Sequence, residues 1–405
     1  MFNPDLDQLR HYPFQRLRNL LGDTPPGAEV IDLSIGEPKH GLPDFIAGEI
    51  AATASLFAKY PPAAGSAMLR EAIAGWLEGR YALAGKIDAD RHVCALNGTR
   101  EGLYMLGQVV HRANARESGA IMLMPNPFYQ CYLAAAVMNG CRPVVLEAGA
   151  ENGFLPDLDA IGSDLLRNCD LFYLCSPSNP QGAVAGRDYL ARLIALARRH
   201  DFLLAADECY AEIYDRDPPP GVLEVAAETG SFDNVVAFHS LSKRSSAPGL
   251  RSGFIAGDER VITRMIRLRS YGGAPLPGPL DAASARIWAD EDHVRANRER
   301  YRRNIDIAEA CLGGRFGFFR PSGGFFLWLD VGDGEAACRR LWAEAGVKTL
   351  PGRYLSMDDE NGGNAAAAYL RVALVHDGET TRRGLERLAT VLGSVSAEVR
   401  MERMQ

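Results

Sequence analysis

The eight cysteines of this 405-residue chain include no Cys-x-x-Cys pair. The sequence therefore offers neither a zinc-binding motif nor a disulfide framework. Several cysteines lie in apolar runs, such as Cys175 at the end of LFYLC (171–175), where a reduced thiol is the expected state. This cysteine usage fits a reducing compartment, and we expect a cytoplasmic protein without a bound metal.

Long apolar runs, a basic excess and a secretory leader are also missing from the sequence. No stretch of about 18 uninterrupted apolar residues occurs, so we expect no membrane span. The opening MFNPDLDQLRHYPF lacks a basic start followed by an apolar core, so we expect no secretory signal. The formal net charge of −7 argues against a general nucleic-acid binder. It does not exclude a local basic pocket for an acidic substrate.

The middle of the sequence alternates short apolar runs with amphipathic segments. Five runs predict buried strands, at 120–124, 171–175, 202–206, 235–240 and 253–257. The segment 188–200 predicts a helix with four apolar positions near one face, Leu190, Ile194, Leu196 and Ala197. This alternation is typical of an α/β fold with a mostly parallel sheet flanked by helices on both faces.

The length and a change of character near residue 285 predict two domains. A typical domain has roughly 100–200 residues, so a chain of 405 residues is expected to contain more than one. A long charged helix is predicted at 290–313, ended by Gly313 and Gly314. Strands at 323–331 and 369–375 are predicted around a helix at 335–346. We expect a large domain over 46–285 and a smaller α/β domain made of 1–45 and 286–405.

Three of the predicted strands run into polar segments of unusual composition. LFYLC leads to SPSNPQG (176–182), FLLAA leads to Asp207–Tyr210, and VVAFHS leads to Leu241–Arg244. In open α/β sheets, ligands bind beyond the carboxyl ends of the strands. Taken singly, each segment is explained as a turn, a helix cap or a solvated loop. Together they would place an amide, a carboxylate, a phenol and an amine at one edge of the sheet.

The order and spacing of these segments resemble the fold-type I, class I/II aminotransferases, which use pyridoxal 5′-phosphate (PLP). The resemblance extends from about Leu33 to Arg371. It rests on three motifs: Ser178-Asn179-Pro180-Gln181-Gly182, Asp207-x-x-Tyr210, and Ser240-x-Ser242-Lys243 followed by Pro248-Gly249-Leu250-Arg251-Ser252-Gly253. The third motif is highly specific. The resemblance implies a PLP enzyme that transfers amino groups between amino acids and 2-oxo acids.

The resemblance also implies a role for each polar group. Lys243 is expected to form the Schiff base with PLP and then to move the proton between substrate Cα and cofactor C4′. Asp207 is expected to pair with the pyridine nitrogen, because a carboxylate there favours the protonated, electron-withdrawing ring. Asn179 and Tyr210 are expected to donate hydrogen bonds to the phenolic oxygen of the cofactor.

The phosphate of the cofactor requires its own anion site. The segment 97–102 (NGTREG) follows an apolar run and precedes a predicted helix, and a helix N-terminus suits an anion. By the resemblance, the backbone donors come from Gly98, Thr99 and Arg100. Ser240 and Arg251 are expected to complete the phosphate site, and Ser242 is a further expected cofactor contact. Tyr60 matches a tyrosine that reaches the phosphate of the neighbouring subunit's cofactor. The expected active unit is therefore a homodimer with shared active sites.

Three further residues match substrate or ring contacts of the family. Tyr129 matches the aromatic residue that stacks on the pyridine ring, although the sequence leaves Phe128 as an alternative. Arg371, a charged residue inside the apolar run YLRVAL, matches the arginine that binds the substrate α-carboxylate. Gly36 fits the N-terminal loop whose backbone approaches the same carboxylate.

Two stretches, 34–40 and 240–254, resemble the N-succinyl-diaminopimelate aminotransferase subfamily of lysine and diaminopimelate biosynthesis. Its substrate and 2-oxoglutarate are both acidic, so a second cation besides Arg371 is expected in the site. The sequence leaves three candidates open, Lys39, Arg244 and Arg353.

Other functions fit the same cofactor residues. They are an aspartate, alanine or aromatic aminotransferase, or a PLP-dependent C–S lyase. A PLP-binding regulator would need a DNA-binding domain, and the sequence has no spare 70 or so residues ahead of Leu33.

Overall fold

The computed structural model describes residues 2–9, 11–110, 119–359 and 361–402, with side chains as far as residue 393. The strands in these ranges are β1 Ile31–Asp32, β2 Val93–Leu96, β3 Ile121–Asn126, β4 Arg142–Glu147, β5 Cys169–Cys175, β6 Leu203–Asp207, β7 Val235–Ser240, β8 Gly253–Gly257, β9 Phe326–Asp330, β10 Val347–Lys348, β11 Leu350–Pro351 and β12 Tyr369–Ala373. The helices are α1 Pro13–Leu21, α2 Phe45–Ala52, α3 Ala67–Tyr81, α4 Thr99–Val110, α5 Gln130–Val137, α6 Ser163–Asn168, α7 Arg187–His200, α8 Val222–Glu228, α9 Leu241–Arg244, α10 Glu259–Gly272, α11 Gly278–Trp288, α12 Asp292–Leu312, α13 Gly334–Ala345 and α14 Gly378–Glu402.

A seven-stranded sheet forms the centre of the fold, in the order β2-β8-β7-β6-β5-β3-β4. Its neighbours pair in parallel except at β8, which is antiparallel to both β2 and β7. The strands are buried along their whole length apart from the edge strand β4. Alternate residues of each central strand enter different hydrophobic clusters, for example Leu204 in one and Ala205 in the other. The sheet is therefore covered on both faces, which confirms the predicted α/β class.

The remaining strands belong to two smaller sheets. β1 precedes the strands of the central sheet in the chain, and β9 to β12 follow them. β11, β12 and β9 form an antiparallel sheet, and β1 pairs with β10 in parallel. These strands share a separate hydrophobic cluster with α1, α12, α13 and α14, which includes Leu17, Leu312, Leu341 and Leu385. The domain boundaries at 46 and 285 stay a prediction.

Two local predictions need correction. The predicted strand 323–331 begins only at Phe326, because the N–H groups of Gly323 and Gly324 donate to loop carbonyls at Gly182 and Ile213 instead of to a strand. In α7, Leu193 is fully buried and Leu196 is only partly buried. The buried face of this helix is therefore rotated slightly from the predicted one.

Within the described ranges, no helix is long and apolar enough to cross a bilayer. No group of three or more histidine, cysteine or acidic side chains there could hold a metal ion.

Candidate active site

A cavity of about 450 Å³ opens beyond the carboxyl ends of β5, β6 and β7. It brings together residues that are far apart in the sequence, from the N-terminal loop, α4, α9 and β12. Of the residues predicted for the site, those that line this inner cavity are Gly36, Thr99, Arg100, Phe128, Tyr129, Asn179, Asp207, Tyr210, Ser240, Ser242, Lys243, Arg251 and Arg371.

Lys243 lies on the short helix α9, which begins directly where β7 ends. The Ser240 hydroxyl caps this helix by accepting a hydrogen bond from the Ser242 N–H at 3.1 Å. The Lys243 ammonium donates to the carbonyl oxygen of Gly36. Burial lowers the pKa of Lys243 to about 8, because desolvation disfavours the charged amine. A neutral amine is the nucleophilic form.

Asp207 ends β6, and both of its carboxylate oxygens have donors. The Tyr132 hydroxyl donates to Oδ2 at 2.7 Å, and the Cys209 N–H approaches Oδ1 at 3.3 Å. Burial raises the pKa of Asp207, and the hydrogen bonds from Cys209 and Tyr132 act in the opposite direction. A cationic group bound in the cavity would therefore stabilise the ionised form of this carboxylate.

Arg371 is a buried cation without a carboxylate partner in the described part of the chain. Its Nη1 donates to Asn179 Oδ1 at 3.0 Å, and its Nη2 donates to the Ser34 carbonyl at 2.6 Å. Its Nε is buried and has no hydrogen-bond partner. Burial lowers the pKa of Arg371 to about 10, still well above neutrality, so the guanidinium stays charged. A buried, incompletely paired guanidinium is a strong site for a substrate carboxylate.

The bond from Arg371 also orients its neighbours. Because Asn179 accepts with Oδ1, its amide nitrogen is left as a donor on the cavity wall. Tyr210 packs edge-on against Phe325 and Phe326, at 5.4 and 5.7 Å between ring centroids. Gly36 must remain glycine here, because a Cβ would lie 2.5 Å from the ring of Phe326.

The predicted phosphate site forms at the N-terminus of α4. Gly98 has a φ of +82°, and a Cβ at this position would overlap the Arg251 guanidinium at 2.3 Å. Arg251 donates to the carbonyl oxygens of Pro248 and Asn97, at 2.8 and 3.3 Å. The Thr99 hydroxyl contacts the Cys209 sulfur at 3.2 Å. A helix N-terminus, a cation and the Ser240 and Ser242 hydroxyl groups thus face the same end of the cavity.

Aromatic side chains form a further part of the cavity wall. Tyr129 and Phe128 both line the inner cavity. Arg100 donates from Nε to the Tyr129 hydroxyl and from Nη2 to the Tyr12 hydroxyl, the latter at 3.4 Å. Beyond Arg100 lies an outer cavity of about 480 Å³, which shares Tyr12, Pro13, Arg100, Tyr129, Gln130 and Arg251 with the inner one.

Besides Gly98 at the N-terminus of α4, four residues singled out from the sequence lie outside the cavity lining. Tyr60 is fully exposed. Arg244 is wrong as a candidate substrate cation, because its buried guanidinium pairs with Glu291 and packs on Trp288. Arg353 pairs with Asp358 at 3.4 Å, and Lys39 pairs with the cavity residue Glu37 at 3.0 Å.

The residues present fit PLP. The inner cavity holds an amine of lowered pKa, a buried carboxylate and an anion site whose Gly98 leaves no room for a side chain beside Arg251. Lys243 would hold the cofactor aldehyde, Asp207 the ring nitrogen, and Gly98, Thr99 and Arg251 the phosphate. Arg371 would hold the substrate, since its buried guanidinium still has an Nε without a hydrogen-bond partner.

The lowered pKa of Lys243 predicts the pH dependence of cofactor capture. Only the neutral amine attacks an aldehyde, so the rate of covalent PLP binding to cofactor-free protein should rise with pH and level off above about 8. Stopped-flow absorbance between pH 6 and 10.5 measures it. A rate that keeps rising to the ordinary lysine pKa near 10.4 would contradict the desolvated environment.

Comparison with known proteins agrees with this geometry. A family model for "Aminotransferase class I and II" matches residues 28–388. An LL-diaminopimelate aminotransferase of Desulforudis audaxviator is 31% identical over 394 residues, which are 95% of this chain and 96% of that protein. A crystal structure of an aminotransferase from Neisseria meningitidis aligns with a TM-score of 0.91 and 37% identity, covering 96% of this chain and 100% of that chain. Aminotransferase AspB from Helicobacter pylori aligns with a TM-score of 0.87 and 34% identity, covering 94% and 98%. The chain belongs to the class I and II aminotransferases, a PLP-dependent enzyme family.

Proposed function

We propose that this aminotransferase moves the amino group of N-succinyl-LL-2,6-diaminopimelate to 2-oxoglutarate, in lysine and diaminopimelate biosynthesis. The proposal rests on the subfamily resemblance of 34–40 and 240–254 and on a cavity that offers cations at both ends of a long acidic substrate. The single observation that carries it is the pair of guanidinium groups, Arg371 and Arg100, on the wall of the inner cavity.

Arg371 is the proposed ligand of the α-carboxylate. Its hydrogen bonds to Asn179 and to the Ser34 carbonyl hold the guanidinium in one orientation before substrate arrives. Preorganisation of this kind places the reacting Cα at a constant distance from the other groups. The carbonyl of Ser34 and the backbone at Gly36 bring the N-terminal loop to the same point.

Arg100 is the proposed ligand of the distal carboxylate. In the described ranges no carboxylate pairs with Arg100, whereas Arg244, Arg353 and Lys39 all have acidic partners. Two tyrosine hydroxyl groups fix its guanidinium at the wall shared by the inner and outer cavities. The outer cavity adds about 480 Å³, room for the arm of a substrate longer than glutamate.

Proton transfer is assigned to Lys243. PLP, when bound, supplies the ring that withdraws electrons from the substrate Cα. The Lys243 amine, released when substrate takes its place on the cofactor, is neutral enough at pH 8 to accept the Cα proton. Asp207 would hold negative charge beside the ring nitrogen of the cofactor, and Tyr210 and the Asn179 amide would donate hydrogen bonds to its phenolic oxygen.

Tyr60 is proposed to complete the phosphate site of a second copy of the chain. Its side chain is fully exposed in one chain, as a residue that reaches into a partner must be. The proposed active unit is accordingly a homodimer, with a large domain over 46–285 and a small domain of 1–45 and 286–405. A cytoplasmic location is proposed on the cysteine usage.

A second candidate substrate is LL-diaminopimelate without the succinyl group, since several similar curated proteins are LL-diaminopimelate aminotransferases. The free substrate carries a distal ammonium group, which succinylation replaces by a neutral amide and a further carboxylate. The Glu37–Lys39 ion pair at the cavity provides one group for each case. The two substrates are therefore distinguished by charge.

A substrate series tests the proposed reaction. With 2-oxoglutarate as acceptor, kcat/KM for N-succinyl-LL-diaminopimelate should exceed that for LL-diaminopimelate, aspartate, alanine and phenylalanine. Higher kcat/KM for LL-diaminopimelate would establish the second candidate instead. Release of pyruvate, ammonia and a thiol from cysteine conjugates, without amino transfer, would identify a C–S lyase.

Replacing Arg100 with Met should weaken the use of acidic substrates selectively. Loss of one charge-assisted contact costs about 2 kcal/mol, or roughly 30-fold in kcat/KM for N-succinyl-LL-diaminopimelate and 2-oxoglutarate. Activity with alanine should change little, because the backbone N–H of residue 100 is retained. Arg353→Met is the matched control, since that guanidinium pairs with Asp358 outside the cavity lining. An equal loss for acidic and neutral substrates would refute the assignment.

A further inference from the structure

Tyr132 is a buried tyrosine that contacts the carboxylate of Asp207 from below the cavity. It lies on α5, three residues after the cavity residue Tyr129. Its hydroxyl donates to Asp207 Oδ2 at 2.7 Å. The side chain is fully buried and does not line the inner cavity, so it does not act on substrate directly.

The ring of Tyr132 is held rigidly. It stacks face to face on Tyr173 of β5, with 4.5 Å between centroids and 8° between planes, and Tyr129 meets its edge at 5.8 Å. The Tyr173 hydroxyl bonds to the Leu103 carbonyl at 2.7 Å and so takes no part in the contact with Asp207. The phenol of Tyr132 therefore has little freedom to turn away from the carboxylate.

The other titratable groups near Asp207 are weaker donors. Burial raises the pKa values of Cys131, Cys175 and Cys209, so these thiols stay neutral. The Cys209 thiol also hydrogen-bonds to Asp207 and lowers its pKa, but a thiol is a weaker donor than a phenol. His239, on the neighbouring strand β7, has its Nε2 at 3.0 Å from a Glu208 carboxylate oxygen, where it forms no hydrogen bond. The Cys209 N–H reaches Asp207 only at 3.3 Å. The hydrogen bond from the Tyr132 hydroxyl is thus the shortest one that the Asp207 side chain receives in the described structure.

We propose that Tyr132 is a positioning residue for Asp207, whose hydroxyl keeps the carboxylate ionised and fixed in the orientation that the cofactor ring requires. Without this donor, a desolvated Asp207 binds a proton more readily and draws less positive charge onto the ring nitrogen. The inference rests on the role proposed above for Asp207. In this proposal, the ionised state of Asp207 depends on Tyr132, whose side chain lies outside the cavity lining.

Replacing Tyr132 with Phe removes only the hydroxyl and keeps the ring stack. In the holoenzyme, the pH midpoint of the bound cofactor's visible absorbance should move upward, because a less charged ring withdraws less electron density from the imine nitrogen at Lys243. The dissociation constant of PLP should rise and kcat should fall, each by roughly 10- to 100-fold, with KM changing little.

Tyr173→Phe is the matched control, since it removes a neighbouring buried hydroxyl that bonds elsewhere. It should leave the pH midpoint and PLP affinity unchanged, and thermal unfolding of both variants reports on folding. An unchanged midpoint in Tyr132→Phe, or an equal shift in both variants, would overturn the proposal. The Asp207→Asn variant separates the proposal for Tyr132 from the role proposed for Asp207. A normal pH midpoint in that variant would show that the role of Asp207 itself is wrong.

Discussion

The parallel alignment of β5, β6 and β7 is the constraint on which the site depends. Cys175, Asp207 and Phe238 lie level with one another in the sheet register, so the segments that follow leave the sheet at one edge. Asn179, Tyr210 and Lys243 come from these segments, and they converge although up to 64 residues separate them in the chain (243 − 179). The pairing of the strands thus fixes where the three segments meet around the cavity.

Desolvation sets the electrostatics of that cavity. Burial lowers the pKa values of Lys243 and Arg371 and raises that of Asp207, so each group is held in an environment that disfavours its charge. Complementary ions would favour the charged forms: in the proposed function, a ring cation would pair with Asp207 and a substrate carboxylate with Arg371. The fold accordingly accepts incompletely paired groups, such as the Arg371 Nε, at the position where we propose that substrate binds.

The fold class and most of the cavity lining could be predicted from the sequence, because both are encoded locally. Strands such as 235–240 are continuous apolar runs, and Asp207, Tyr210 and Lys243 stand in short motifs with fixed spacing. Tertiary partners are not encoded in this way. Arg244 follows the lysine directly, yet its side chain turns away to Glu291, and no motif indicates that Tyr132 reaches Asp207 or that the Arg100 side chain faces two cavities.

The central claim is that Lys243 is the covalent attachment site of the cofactor. Borohydride reduction of the PLP-loaded protein, followed by peptide mass mapping, tests it most directly. The account predicts a reduced pyridoxyl-phosphate mass addition on the peptide that contains Lys243, and none after replacement of Lys243 with Ala. A stable adduct on another lysine, such as Lys39 or Lys348, with Lys243 unmodified, would contradict it.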